Sequence, residues 1–251
     1  MTERTQNEFG YFGKLPIWGD FVHQILPQDF ANAWHPWLQQ SMAETKETLG
    51  EQFLTYYLNC PAWKFLMTAG VCGEQPLAGV TIPSVDRVGR YFNFTIATVL
   101  PMNSNPCTYV MNNKQGMMEL ENLALDILEK DYSKDEIDSK LQELALQFEP
   151  TSGTMPRIES QTDYLRISQD SALPFADQAG DLISHLLTQQ LQNFSMWWYG
   201  QIGQTQSQLL ICNGLPSTDV YLNLLTLGAP PEPEIIEMDY IEQILAGDAE
   251  T

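Results

Sequence analysis

The sequence predicts an α/β fold, a mixed β-sheet with helices on both faces. Three observations carry that reading. The 251 residues are 43% hydrophobic and 11% aromatic, enough for a sizeable core and too much for a disordered chain. Helical runs separate the early strand-like runs, whereas the central strand-like runs follow one another directly. The helical runs carry their apolar residues on one side, as elements that pack on a sheet do.

In chain order, YFGKL (11–15) reads as a strand that runs into the loop PIWGD. Residues 29–47 read as a helix, with Phe30, Trp34, Trp37, Leu38 and Met42 at helical spacing. Pro36 falls inside this pattern. An interior proline costs about 3 kcal/mol, so a kink is expected there, or a helix that starts near Pro36. WKFLMTA (63–69), LAGVTI (77–82) and FNFTIATVL (92–100) are strand-like, and GVCGEQP joins the first two as a turn. A helix over 115–130 turns Leu120, Leu123, Ile127 and Leu128 inward. Ser133 and Glu136 make an S-x-x-E capping box for a helix that carries Ile137, Leu141, Leu144 and Phe148.

PTSGTMP (150–156) reads as a loop or linker. It is followed by a strand, DYLRIS (163–168), a helix over 175–192, and a hairpin of SMWWYG and QLLICN. Ser217 or Thr218 can cap a last helix over 218–227. APPEPE (229–234) closes the compact part. One domain over 8–228 is therefore expected, with an acidic tail over 229–251 that folding does not need. Met238, Ile241 and Leu245 give that tail an apolar side at helical spacing.

Charge narrows the function classes. The formal net charge is −20, which disfavours binding to nucleic acid and to anionic membrane surfaces. Beyond Arg166 there is no Lys or Arg, and eleven Asp and Glu follow. That last third either keeps the protein soluble or offers an acidic face to a basic partner. The four cysteines form no C-x-x-C pair, and the three histidines lie far apart with no cysteine at ligand spacing, so no metal site is expected. Small buried thiols in a reduced compartment fit best. No apolar run is long enough to span a membrane, and the start, MTERTQNE, lacks the apolar segment of a signal peptide.

Enzymatic signatures are missing. GYFGKLPIWG is neither a phosphate-binding loop nor a dinucleotide fingerprint, and no nucleophile elbow occurs. A triad of Ser84, Asp86 and His23, or an acid–base pair of Asp20 and Asp86, can be imagined from the residue types alone. An aspartate beside an arginine is a poor general acid, however. The tryptophans read mainly as core. Trp18, in a turn-rich loop between Ile17 and Gly19, reads as a half-exposed contact residue.

The segment PSVDRVGR (83–90) stands out because it sets two arginines and an aspartate between core strands in a chain with only twelve Lys and Arg. Pro83 ends a strand, Gly89 permits a turn, and a buried charge there needs a partner. Asp86 and Asp20 are expected to fix Lys14, Arg87 or Arg90 in one cluster at the sheet edge. The cluster is either purely architectural or also a surface for a partner.

Three blocks resemble the TagF proteins, accessory proteins of the bacterial type VI secretion system. YFGKLPIWGDFVHQILPQDFANAWHPWLQ (11–39) is similar to the family's opening block, and PAWKFLMTAGVCGEQPLAGVTIPSVDRVGRYF (61–92) to its second. SMWWYGQIGQTQSQLLICNGLP (195–216) is similar to its C-terminal signature. The pattern carries over to Lys14, Pro16, Gly19, Asp20 and Phe21, and to Pro83, Ser84, Asp86, Arg87, Gly89, Arg90 and Tyr91. It assigns no role to any of them individually. Pro36 and Asn93 depart from it, and the tail from about 229 has no counterpart.

The resemblance implies a three-layer α/β/α sandwich in the cytoplasm, with no catalytic activity established for the domain, and no cofactor is expected. It implies a post-translational repressor of secretion that acts through the system's forkhead-associated (Fha) protein. The phosphatase domain fused in some relatives is not expected here. A structural or chaperone-like adaptor, and a hydrolase using Asp20, Asp86 and Ser84, are the competing classes.

Overall fold

A computed structural model describes residues 7–150, 157–160, 165–168, 175–200 and 207–227. The expected tail, the loop over 150–156 beyond its first residue, and the loop of the last hairpin lie outside these residues. The strands are β1 Phe9–Gly13, β2 Val22–Gln24, β3 Trp63–Met67, β4 Leu77–Ile82, β5 Phe94–Val99, β6 Arg157–Ser160, β7 Leu165–Ser168, β8 Phe194–Tyr199 and β9 Gln208–Asn213. The helices are α1 Gln28–Leu49, α2 Phe53–Asn59, α3 Pro106–Asn112, α4 Lys114–Glu129, α5 Lys134–Ala145, α6 Phe175–Gln190 and α7 Thr218–Thr226.

Seven strands form one sheet in the order β2-β1-β5-β4-β3-β8-β9, and β6 with β7 forms a separate hairpin. Every pairing is antiparallel, which corrects the expected mixed sheet while the α/β class stands. The physical reason lies in the connections. Helices carry the chain from β2 to β3 and from β5 towards β8, and these strands are not sheet neighbours. No described helix therefore makes the crossover that a parallel pair requires.

Strand residues alternate between two cores. On one face Leu66, Ala78, Val80, Phe94, Ile96 and Phe194 pack with Met117, Leu120, Ile137 and Leu141 of α4 and α5. On the other, Trp63, Phe65, Met67 and Trp197 pack with α1, α2 and α7. Trp34 of α1 is fully buried, its ring 5.2 Å from Phe65 and 5.9 Å from Trp197. One charge interrupts the first core. Lys64 points to the α4 side and pairs with Glu121, both side chains almost wholly buried.

Local signals explain most termini. Ser133 and Glu136 form the capping box, and Ser217 caps α7 by accepting from the Val220 N–H. Four short elements escape the sequence reading: β2, α2, α3 and β6. Asn105 caps α3 by accepting from the Cys107 and Thr108 N–H groups. Helix α1 begins at Gln28 and continues through Pro36, against the expected late start. Its buried row of Phe30, Trp34, Leu38 and Met42 holds it in place, while Pro36 sits on the exposed side. Pro36→Ala is expected to stabilise the protein by about 1–3 kcal/mol, read as a higher midpoint in thermal or urea unfolding.

The four cysteines are free, and burial pushes the Cys60, Cys72 and Cys107 thiols up to about 12. They behave as small apolar side chains, not as thiolates.

Candidate functional site

The loop that follows β1 and the loop between β4 and β5 meet at one corner of the sheet. Gly13, at φ +135°, ends β1 so close to β5 that an added Cβ would lie 2.1 Å from the Asn93 carbonyl oxygen. The next residue, Lys14, is thereby held under the second loop, 4% exposed. That loop is a small hairpin. Val85 bridges Tyr91, the Asp86 N–H donates to the Arg90 carbonyl at 3.0 Å, and the Gly89 N–H returns to the Asp86 carbonyl at 2.9 Å. Gly89 sits at φ +84° with open space around it, so backbone conformation and not crowding calls for glycine there.

Asp86 is the centre of the corner. Its Oδ2 accepts from Lys14 Nζ and from Arg90 Nε, each at 2.7 Å. Its Oδ1 accepts from the Val88 N–H at 3.0 Å and the Arg90 N–H at 2.8 Å. Burial alone would push this carboxyl up. The bonds from Lys14, the Arg90 backbone and side chain, and the Val88 N–H outweigh it and hold the group well below the usual carboxylate range. Arg90 then reaches the other loop and donates from Nη2 to the Gly19 carbonyl. The Lys14 ammonium also lies 5.0 Å from the centre of the Phe21 ring.

A second polar knot supports the corner from beneath. The Tyr57 hydroxyl accepts from the Ser84 N–H at 3.1 Å, and the Ser84 carbonyl and Asn93 Oδ1 lie within donating distance of it at 3.0 and 3.1 Å. Sequence reasoning missed Tyr57 and treated Asn93 only as a departure from a pattern. The Phe53–Tyr57 spacing of four was the available signal for Tyr57, one helical turn in FLTYYLN.

Lys14, Asp86 and Arg90 thus form the expected cluster, and two expected members do not join it. Asp20 is exposed, and its carboxylate accepts from the neighbouring Phe21 N–H at 2.8 Å. Asp20 lies past the turn, where Arg90 reaches the Gly19 carbonyl instead. Arg87 is exposed at the loop tip. Only its backbone is engaged, at 3.5 Å from the Trp18 carbonyl, and its guanidinium makes no ion pair among the described residues. Val88 beside it is 64% exposed. Trp18 is half-buried and packs on the first core.

Ser84, Asp86 and His23 do not form a relay. Ser84 Oγ is buried without a hydrogen-bond partner, Asp86 is taken by Lys14 and Arg90, and His23 Nε2 lies 2.7 Å from the Leu26 carbonyl oxygen. Among the described residues no group of three His, Cys, Asp or Glu side chains could hold a metal ion. No described helix is long and apolar enough to cross a membrane.

Both loops of the corner fall within residues 10–144, which match the family model of the TagF N-terminal domain, type VI secretion system-associated. The chain belongs to the TagF family. The likeness to a solved structure extends past that match. The crystal structure of PA0076 from Pseudomonas aeruginosa PAO1 is 30% identical, with a TM-score of 0.70 over 90% of this chain and 97% of that one. No curated protein sequence matches the chain. The Lys14–Asp86–Arg90 cluster, its lysine and aspartate buried and its arginine half-exposed, lies at the junction of the two blocks by which the sequence resembles the family.

Proposed function

We propose that this TagF-family chain is a cytoplasmic, non-enzymatic accessory protein of the type VI secretion system. In this reading it restrains secretion after translation by binding the forkhead-associated (Fha) component at the Asp86 corner. The observation that supports this best is the display of Arg87 and Val88. A guanidinium with no ion pair among the described residues and an exposed apolar side chain stand on a loop whose backbone is fixed by the Val88 and Arg90 N–H bonds to the Asp86 carboxylate and by two backbone bonds across the turn. A loop already rigid in the free protein loses little entropy on docking. Arginine is among the residues that dominate interface energies. Phe21, 38% exposed and set edge-on at 4.8 Å to Phe92, extends the same surface.

The proposal is tested by titrating the purified protein with purified Fha at low and high salt. Binding is expected without added nucleotide or metal. A contact centred on Arg87 and Val88 weakens modestly with salt, whereas docking through the acidic last third would weaken steeply. Arg87→Glu is expected to lower affinity by about tenfold or more, with stability changed by less than about 0.5 kcal/mol, as for other exposed sites. No binding at micromolar concentrations in either salt would sink the Fha assignment. Deleting the gene is expected to raise secretion; its abolition would mark an assembly adaptor.

A further inference from the structure

A second surface lies at the far edge of the sheet and does not depend on that reading. Strand β9 is the outer strand there, and among the described residues its one sheet neighbour is β8. Its side chains, over Gln208–Asn213, include no charge and no proline. Its register with β8 runs through without a bulge. An open strand edge invites pairing with another chain, and proteins guard such edges by shortness, charge, proline, a bulge or a cover. The opposite edge, β2, is only three residues long. For β9 only a cover remains.

The face that needs the cover is defined by the register. Leu209 stands opposite Trp198, and Ile211 opposite Met196, so all four lie on the side of the first core. Trp198 and Met196 are half-buried against that core. Leu209 is 57% exposed and Ile211 42%.

Three observations point to the occupant. The first is where the tail departs. Helix α7 stops at Leu227, in the left-handed conformation at φ +57°, and Gln208 Nε2 donates to the Leu227 carbonyl at 2.6 Å. Residues 228–251 therefore leave the domain beside the first residue of β9. The second is pattern. Met238, Ile241 and Leu245 recur at helical spacing in that segment, with Asp239, Glu242 and Gln243 between them. Successive members of such a row rise by about 5 Å along a helix, and Leu209 and Ile211 lie about 7 Å apart along a strand, so the row can seat on both.

The third is reach. Residues 228–237, fully extended, span up to about 33 Å, and a strand of the length of β9 is roughly 20 Å long. The tether is thus long enough to carry the row round the edge and onto the exposed face. It also holds the row at an effective concentration on the order of millimolar. A second copy of the chain at micromolar concentration competes poorly with that.

We propose that the acidic tail folds back as an amphipathic strap, with Met238, Ile241 and Leu245 seated on Leu209 and Ile211 and the carboxylates turned to solvent. The strap closes the β9 edge against pairing with a second copy of the chain.

The test uses the full chain and methyl NMR. Ile241→Ser combined with Leu245→Ser is expected to shift the Leu209 and Ile211 methyl signals and to leave those of Leu120 and Ile137, deep in the first core, in place. The wild-type signals are expected not to move on dilution, as for a contact within one chain. The tail variant is expected to bind an apolar dye several-fold more strongly than the wild type and to self-associate in light scattering. Adding Leu209→Glu to that variant is expected to restore the monomer. Unmoved Leu209 and Ile211 signals, shifts spread through both cores, or a wild-type dimer that Ile211→Ser dissociates would overturn the proposal. None of these results bears on Arg87 and the corner.

Discussion

A chain ended at Pro150 is expected not to fold, although the family match stops at residue 144. The sheet does not respect that boundary. β8 pairs along β3, setting Phe65 opposite Trp197 and Lys64 opposite Trp198, and β9 pairs along β8. Trp197 is 1% exposed and lies 5.4 Å from the Phe65 ring and 5.6 Å from Trp37. Tyr221 of α7 meets Trp37 edge-on at 5.9 Å, and Trp37 Nε1 donates to the Pro216 carbonyl at 2.7 Å. Removing everything after Pro150 uncovers Trp34, Trp37, Trp63 and Phe65 together. Re-exposing each large side chain costs about 1.5–3 kcal/mol, and a whole domain is stable by only about 5–15 kcal/mol. The truncated chain should lack near-ultraviolet circular dichroism and a cooperative melt. A sharp melt near the full-length midpoint would show that the first half is a domain by itself.

The same interdependence explains what could be read from the residues and what could not. β3, β4, β5 and β8 were legible because apolar and aromatic runs of strand length are bounded by Gly and Pro. The α5 and α7 starts were legible because a capping serine is a local signal. α2 and α3 are only seven residues each, too short for a periodicity to emerge. Pro36 misled because its local cost was weighed without the burial of Phe30, Trp34 and Leu38, which outweighs it. The antiparallel pairing of β3 with β8 joins residues more than a hundred positions apart and leaves no local trace. At the corner, Asp86 with Lys14 and Arg90 followed from charge economy in an apolar setting. Which arginine turns inward was not legible, since Arg87 and Arg90 differ only in their place on a tight turn. The tight turn after β2 was invisible for a related reason. Ile25 reads as an ordinary strand residue, and nothing in its type announces a positive φ.

Asp86→Ala is expected to lower the thermal midpoint by on the order of ten degrees, as for stripping one member from a buried charged cluster. The lost carboxylate is one part of the effect. Lys14, 4% exposed, would be left as a buried ammonium without its anion, and the Val88 and Arg90 N–H groups would lose their acceptor. Lys14→Met in the same chain should therefore recover part of the loss, and the two substitutions should be far from additive. Acid should reproduce the effect in the wild type. The folded protein holds the Asp86 carboxyl below its ordinary value of 3.8, so the unfolded chain binds the proton more readily. The stabilisation is complete above that value and drains away as pH falls below it towards the folded-state value. Midpoints of wild type and Asp86→Asn, measured from neutral pH downwards, should differ most near neutrality and converge below about pH 4. An Asp86→Ala midpoint equal to the wild type, or a gap that stays constant into acid, would mean that the carboxylate is solvated and the corner is held by something else.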